Sequence, residues 1–310
     1  MTATPFQGPL IVFRGNDLGP FGTGSANQNP EAAPSPIEMG VGLLDTRAPF
    51  TYHPGSDFGA ATYMFLGGRY QCIDAIPSAI ADNNIAASQS PGAGAIALVS
   101  TSGAGITVAT TITRADTGAT VTGLLAIDTA MAGVAYGQAG TFNTWDTTKA
   151  IARNIRITSG SDDTGITFTV TGYDLYGYPM SEAITGVNNA VASGVKAFKY
   201  ITSVTHTGSV AGTVKVGTGD VIGLPIRVDR FAYANIVYNN TVITASTGFV
   251  AAVTTSPATT TTGDVRGTYA LQAASDGTKR LQVFIAPSVA NVNSITGVFG
   301  VVQNLATNNG

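Results

Sequence analysis

Glutamate and lysine are nearly missing from this chain of 310 residues: its only glutamates are Glu31, Glu38 and Glu182, and its only lysines are Lys149, Lys196, Lys199, Lys215 and Lys279. These long, flexible residues are among the best helix formers, so helix is expected to be a minor component. Charged residues reach only 11%, against about a quarter in average soluble chains. Cys72 is the single cysteine, which excludes an internal disulfide framework and leaves no thiolate cluster for a metal. Long apolar runs are missing too. The longest candidate, residues 236–253, is interrupted by Asn239, Asn240, Thr241, Thr244 and Ser246, short of the ~18 uninterrupted apolar residues a membrane helix requires. Met1 to Leu10 has no basic region followed by an apolar one, so no secretory leader is read there. The 15 basic residues are scattered and the isoelectric point is about 5.2. Nothing forms the basic patch that neutralises a phosphate backbone, and neither nucleic acid nor membrane is expected as a direct partner.

What the chain does have is glycine, 38 residues of it, together with threonine, valine, isoleucine and tyrosine in alternating segments. Glycine follows no three-residue period, which excludes collagen. Hydrophobic residues at 44% with a net charge of -3 exclude the charged, apolar-poor composition of a disordered chain. β-branched and aromatic residues favour strands, so the expected class is all-β. A mean hydropathy of +0.22 is high for a chain without a membrane helix, and implies that apolar surface is covered by other subunits.

Four blocks are expected along the chain. Residues 1–60 carry eight of the 14 prolines; proline fixes φ and removes a donor, so this stretch reads as an extended N-terminal arm. Its apolar residues, among them Phe6, Leu10, Ile11, Phe13, Phe21, Leu43, Leu44, Phe50 and Tyr52, are too many for a solvated linker and are the candidate partner-binding residues. Residues 61–148 form a first β domain. It has a strand-like run at 63–73, a short helical turn at 82–88, and a meander of strands at 95–100, 106–113 and 121–127. Residues 149–222 form an immunoglobulin-like β-sandwich. There Ile151, Arg153, Ile155 and Ile157 share one face, and the turn Asp162-Asp163-Thr164-Gly165 joins the strand at 151–158 to that at 166–171 as a hairpin. Residues 223–310 form a C-terminal β domain, either by itself or as one split domain with 61–148, with a turn at Asn239-Asn240 and an exposed loop at 259–263.

The motifs that could carry chemistry mostly read as structure. Asp-Thr-Gly at 116–118 and 163–165 is the triplet of aspartic proteases, whose paired carboxylates share a proton. Neither copy follows a buried apolar strand, and the triplet is a natural turn. His53 and His206 lack the G-x-S-x-G elbow of a nucleophilic serine. Gly92-Ala93-Gly94 mimics a dinucleotide loop, yet follows Pro91 where a strand should end. Asp162, Asp163, Asp174 and Asp220 have no calcium-loop spacing and read as solvated turn residues. Tyr173, Tyr176 and Tyr178 fit a sugar-stacking patch or an interface. Cys72 reads as a buried small apolar residue, and Trp145 beside Phe142 as an anchor. No catalytic residue, cofactor site or metal site is assigned.

The segments Arg153-Asn154-Ile155-Arg156-Ile157-Thr158, 163–172, 181–186 and 198–204 resemble β-sandwich modules in virion structural proteins of tailed bacteriophages. Gly263-Asp264-Val265-Arg266-Gly267-Thr268-Tyr269 and Gly42-Leu43-Leu44-Asp45 are similar to the same group of head-associated proteins. The resemblance implies a capsid decoration, or cement, protein that is not an enzyme. Its implied partners are the major capsid protein and itself, as a homotrimer; its implied place is the capsid exterior, after assembly in the host cytoplasm. Alternatives are a head fibre or tail-associated receptor-binding protein, and a β-sandwich carbohydrate-active enzyme or adhesin. The enzyme would need clustered carboxylates in a groove.

Overall fold

The computed structural model describes residues 70–131 and 146–285, apart from 115, 226, 229, 230, 232, 233, 244, 245, 254, 256 and 257. The arm at 1–60, with all nine candidate partner-binding residues, lies outside the described residues, as do His53, Phe142 and Trp145. The described chain is all-β, and every strand pairing in it is antiparallel. Among the described residues no helix is long and apolar enough to cross a membrane.

Strands fall into three sheets. The smallest has the order β1 (Tyr70–Ala75), β16 (Leu281–Ile285), β12 (Ala234–Tyr238), β13 (Thr241–Ile243). Burial alternates strictly along both β12 and β16, the pattern of strands with one covered face. Asn239 and Asn240 take φ of 50° and 61°, so the β12–β13 turn is made by the two residues best able to enter the left-handed region after glycine.

A second sheet runs β4 (Ile106–Thr113), β5 (Thr120–Ile127), β10 (Tyr200–His206), β7 (Thr167–Tyr173), β8 (Pro179–Thr185), with β3 (Gly94–Ala95) also paired to β10. The third runs β14 (Phe249–Val250), β15 (Thr268–Ala270), β11 (Val214–Gly223), β6 (Arg153–Ser159), β9 (Val191–Ser193), with β2 (Ala81–Gln89) also on β11. These two sheets face each other. Their common core joins Ile155, Ile157, Val214 and Val216 of one to Phe168, Val170, Met180, Ile184, Ile201 and Val204 of the other, the interdigitated interior of a β-sandwich. A second core puts Ile73, Ile236, Leu281, Val283 and Ile285 of the small sheet against Ile222 and Tyr269 at the far end of the third.

Four expectations change. The short helix at 82–88 is instead β2, because Asn84 pairs with Thr218 on β11: its Nδ2 donates to Thr218 Oγ1 (3.0 Å) and its Oδ1 accepts from Thr218 N (3.1 Å). Gly217 makes room for this approach, since a Cβ there would collide with Ala81 O. The strand at 95–100 shrinks to β3, although Ile96 N still donates to Val204 O (2.9 Å). The turn at 162–165 does not close a hairpin: β6 belongs to one sheet and β7 to the other, so the chain crosses the sandwich there. Pairing also crosses the boundaries expected at 148/149 and 222/223. β4 and β5 join the sheet of β7, β8 and β10, and β15 pairs with β11, while the pairing of β1 with β16 is of the kind the split-domain alternative expects.

Candidate functional site

In a chain with so little charge, the charges that are buried stand out. Arg153, Asp163, Asp174, Glu182, Lys196, Lys199, Asp264 and Arg266 are all at most 5% exposed. A buried charge is tolerated when it is paired or fully hydrogen-bonded, so each must find partners.

Three of the cations act as ties. Lys199 sends its ammonium to three carbonyls, Ile127 O (2.9 Å), Lys149 O (2.7 Å) and Ile151 O (2.8 Å), which matches its three donors. Burial nevertheless pulls it down to about 7. Arg153 reaches Gly219 O (2.7 Å), Ser78 O (2.6 Å), Asp220 Oδ1 (2.8 Å) and Ser275 Oγ (2.8 Å), linking β6 to three distant segments. Arg266 pairs with Asp174 at 2.7 Å and lies 4.7 Å from the centre of the Tyr176 ring. Asp174 Oδ1 also accepts the Tyr176 and Tyr178 amides at 2.8 and 3.0 Å, and the Tyr176 hydroxyl donates to Pro225 O.

These contacts revise the reading of the acidic turns and tyrosines. Asp162 is a turn cap, its Oδ1 accepting from Thr164 N (3.1 Å) and Thr164 Oγ1 (2.7 Å). Asp163 and Asp174 are buried, not solvated. Asp163 Oδ1 accepts the Ala211 amide at 2.8 Å, while Asp116 pairs with Arg114 at 2.6 Å, so the two Asp-Thr-Gly carboxylates serve separate turns. Tyr173 and Tyr176 are packed inside, and no exposed stacking patch is formed by them. His206 is buried, with Nδ1 against Gly208 O at 2.5 Å. Cys72 is buried as expected, which pushes its thiol up to about 12. Among the described residues no group of three or more His, Cys, Asp or Glu could hold a metal ion.

Several carboxylates, Asp128, Asp163 and Glu182 among them, keep a buried oxygen without a hydrogen-bond partner in the described residues, and Glu182 sits beside a cleft. β8 and β9 are the outer strands of the two facing sheets at the same side of the sandwich. Between them is a cleft of about 340 Å³, lined by residues 182–185, 192–195 and Thr260 and Thr261. Met180, Glu182 and Ile184 alternate inward from β8, and Glu182 crosses to the opposite sheet, where Oε1 accepts the amides of Val195 and Lys196. Oε2 is buried with no hydrogen-bond partner among the described residues. Lys196 does not supply one: its ammonium donates to Ser181 O (3.2 Å) and Thr259 O (2.6 Å). Burial pushes the Glu182 carboxyl up to about 7, against the pull of the Val195 and Lys196 amides. Glycine at 194 is required there, because a Cβ would collide with Oε2.

The sequence reading missed Glu182, Lys196, Lys199 and Arg266. For Glu182 a trace was available: it is a carboxylate at an inward position of an alternating strand, between Met180 and Ile184. The loop at 259–263, expected to be merely exposed, covers part of the β8 edge through Ala183 N to Thr260 O (2.9 Å). Compared with known proteins, the chain matches no family model, no curated protein and no solved structure.

Proposed function

We propose that this chain is a non-enzymatic virion structural protein that decorates a phage head and stabilises it by clamping neighbouring major capsid proteins. The observation that carries the proposal is the use made of buried charge. Arg153, Lys199 and Arg266 bind backbone carbonyls, a hydroxyl and carboxylates from segments far apart in the chain. Such groups act as cross-ties inside a subunit that must hold its shape under load. Truncating one partner of a buried tie typically costs ~3–5 kcal/mol, so each resists local opening. The resemblance of segments 153–158, 163–172 and 198–204 to phage head modules supports the same reading, as does a composition that leaves apolar surface for neighbours to cover.

In this reading the proline-rich residues 1–60 carry much of the attachment, and the oligomer is a homotrimer on the capsid exterior. Many modest contacts per oligomer then add through avidity. The test mixes the full chain, and a chain lacking residues 1–60, with decoration-free heads and counts bound copies by electron microscopy. Ordered occupancy by the full chain and its loss in the truncated chain are expected. Failure of the full chain to bind heads overturns the function, and unchanged occupancy after truncation overturns the role of the arm.

A further inference from the structure

One side of the sandwich is closed by an exchange of side chains. β8 and β9 lie in different sheets and share no ladder. Glu182 of β8 reaches the segment after β9, where Oε1 accepts the amides of Val195 and Lys196. Lys196 returns across the same gap: its ammonium donates to Ser181 O on β8 (3.2 Å) and to Thr259 O on the loop beyond (2.6 Å). That loop is joined to both partners, since Ala183 N donates to Thr260 O (2.9 Å) and Ala197 N donates to Asp264 Oδ2 (3.2 Å). Three stretches far apart in the chain, 181–183, 194–197 and 259–264, are thus held to one another by backbone groups and by two side chains of opposite sign.

The anion at the centre of this exchange is poorly housed. Glu182 is 3% exposed, and its Oε2, closed to solvent, has no hydrogen-bond partner among the described residues. Oε2 lies against Gly194, where a Cβ would collide with it. An unsatisfied buried oxygen costs more when it carries charge. The charged neighbours offset little of this. Lys196 attracts the anion, but its ammonium is committed to two carbonyls, and Asp264 on the loop repels it. Arg266, two residues further on, is turned to Asp174 at 2.7 Å. The neutral carboxyl is therefore the form that suits the closed arrangement, and burial pushes Glu182 up to about 7.

We propose that this exchange is a proton-operated clasp, closed while Glu182 is neutral, and that loss of the proton lets residues 194–197 and 259–264 part from β8 in a local opening that leaves the two sheets packed. The core of Ile157, Phe168, Val204 and Val216 takes no part in the exchange. Opening returns water to the carboxylate, which then ionises near its ordinary value of 4.5. From about 4.5 to about 7 the open form holds fewer protons than the closed one, so its population rises by up to about tenfold per pH unit and then levels off. Lys196 has the opposite sense: burial pulls it down, so its titration favours opening as pH falls. The sign of the pH dependence separates the two groups. The clasp goes beyond the capsid reading and does not depend on it.

The test measures amide hydrogen exchange of the full chain at pH 5, 6 and 7 in low guanidinium, with rates corrected for the intrinsic pH dependence of exchange. The amides of Ala183, Val195, Lys196 and Ala197 report the clasp. Their protection should fall by about tenfold per pH unit, with a denaturant dependence much shallower than that of the slowest core amides, the mark of an opening that exposes little surface. The chain has three glutamates, and one of their three side-chain carboxyl carbon signals should titrate near 7. Glu182→Gln, which keeps the shape and cannot ionise, should remove both that signal's titration and the pH dependence of protection. The carbon titration of the unmodified chain decides the matter if the variant does not fold. Protection that is independent of pH or rises with it would overturn the proposal. So would exchange of the four amides only with the denaturant dependence of the whole chain, or three glutamate signals that all titrate below about 6.

Discussion

Glu182 and Lys199 are displaced from their ordinary ionisation in opposite directions, and the stability of the fold should record both. Glu182 rises from 4.5 to about 7 because burial disfavours its anion. In that window the folded chain holds more protons than the unfolded one, so the contribution of Glu182 is fully present below about 4.5 and is lost as pH rises to about 7. Lys199 falls from 10.5 to about 7. Between those values the unfolded chain holds more protons, so its contribution is present above about 10.5 and is lost as pH falls to about 7. Together the two place a trough of stability near pH 7, each side on the order of a few kcal/mol deep. Lys196 and Asp264 act on the Glu182 side, and Asp128, Asp146 and Lys149 on the Lys199 side. Denaturant unfolding across pH 4–10 checks this. Glu182→Gln should flatten the acidic limb alone and Lys199→Met the alkaline limb alone; limbs unchanged by both substitutions would contradict the assignment.

Among the elements, those that pattern on their own could be read in advance. β4 spans Ile106–Thr113, the bounds expected for it from the sequence. β2 could not be read that way, since its Asp-Asn-Asn segment is held extended by long-range partners: Asn84 meets Thr218 across the sheet and Asp82 pairs with Arg156. β9 is three residues long, below the length at which a period can be detected. The turn at 162–165 was legible as a turn but not as a crossing, because turn chemistry is local while sheet membership is set by the core. The cleft was the least legible feature. Glu182 meets Val195 and Lys196 only after two sheets face each other, and nothing in one strand announces the register of another. Gly194 tests that meeting. Gly194→Ala should destabilise the fold by roughly 1–3 kcal/mol through overpacking against Oε2, and much less when Glu182 is already alanine. A double-mutant cycle by thermal or denaturant unfolding measures the difference. Equal costs in both backgrounds would mean that the carboxylate does not press on Gly194.

At the scale of the whole molecule, the blocks expected at 61–148, 149–222 and 223–310 share sheets and cores. The sandwich core takes Ile85, Ala86, Ile96, Ile106, Leu125 and Ile127 from before residue 149, alongside the strands of 149–222. The ties run the same way: Lys199 binds Ile127 O and Lys149 O, and Arg153 binds Ser78 O and Ser275 Oγ. A fragment limited to 149–222 would lose β2, β3, β4 and β5, leave the outer edges of β10 and β11 open, and expose the apolar face those strands cover. It would also leave Arg153 and Lys199 buried beside missing acceptors, the costliest kind of unsatisfied group. The fragment should therefore lack a cooperative thermal transition and show collapsed amide dispersion, whereas a chain starting near residue 70 and ending at Ile285 should unfold in one transition. A fragment 149–222 that melts cooperatively with native-like shifts would show that the sandwich is autonomous and that the long-range ties are dispensable. Because β1 pairs with β16, the two ends of the described chain are fastened to each other.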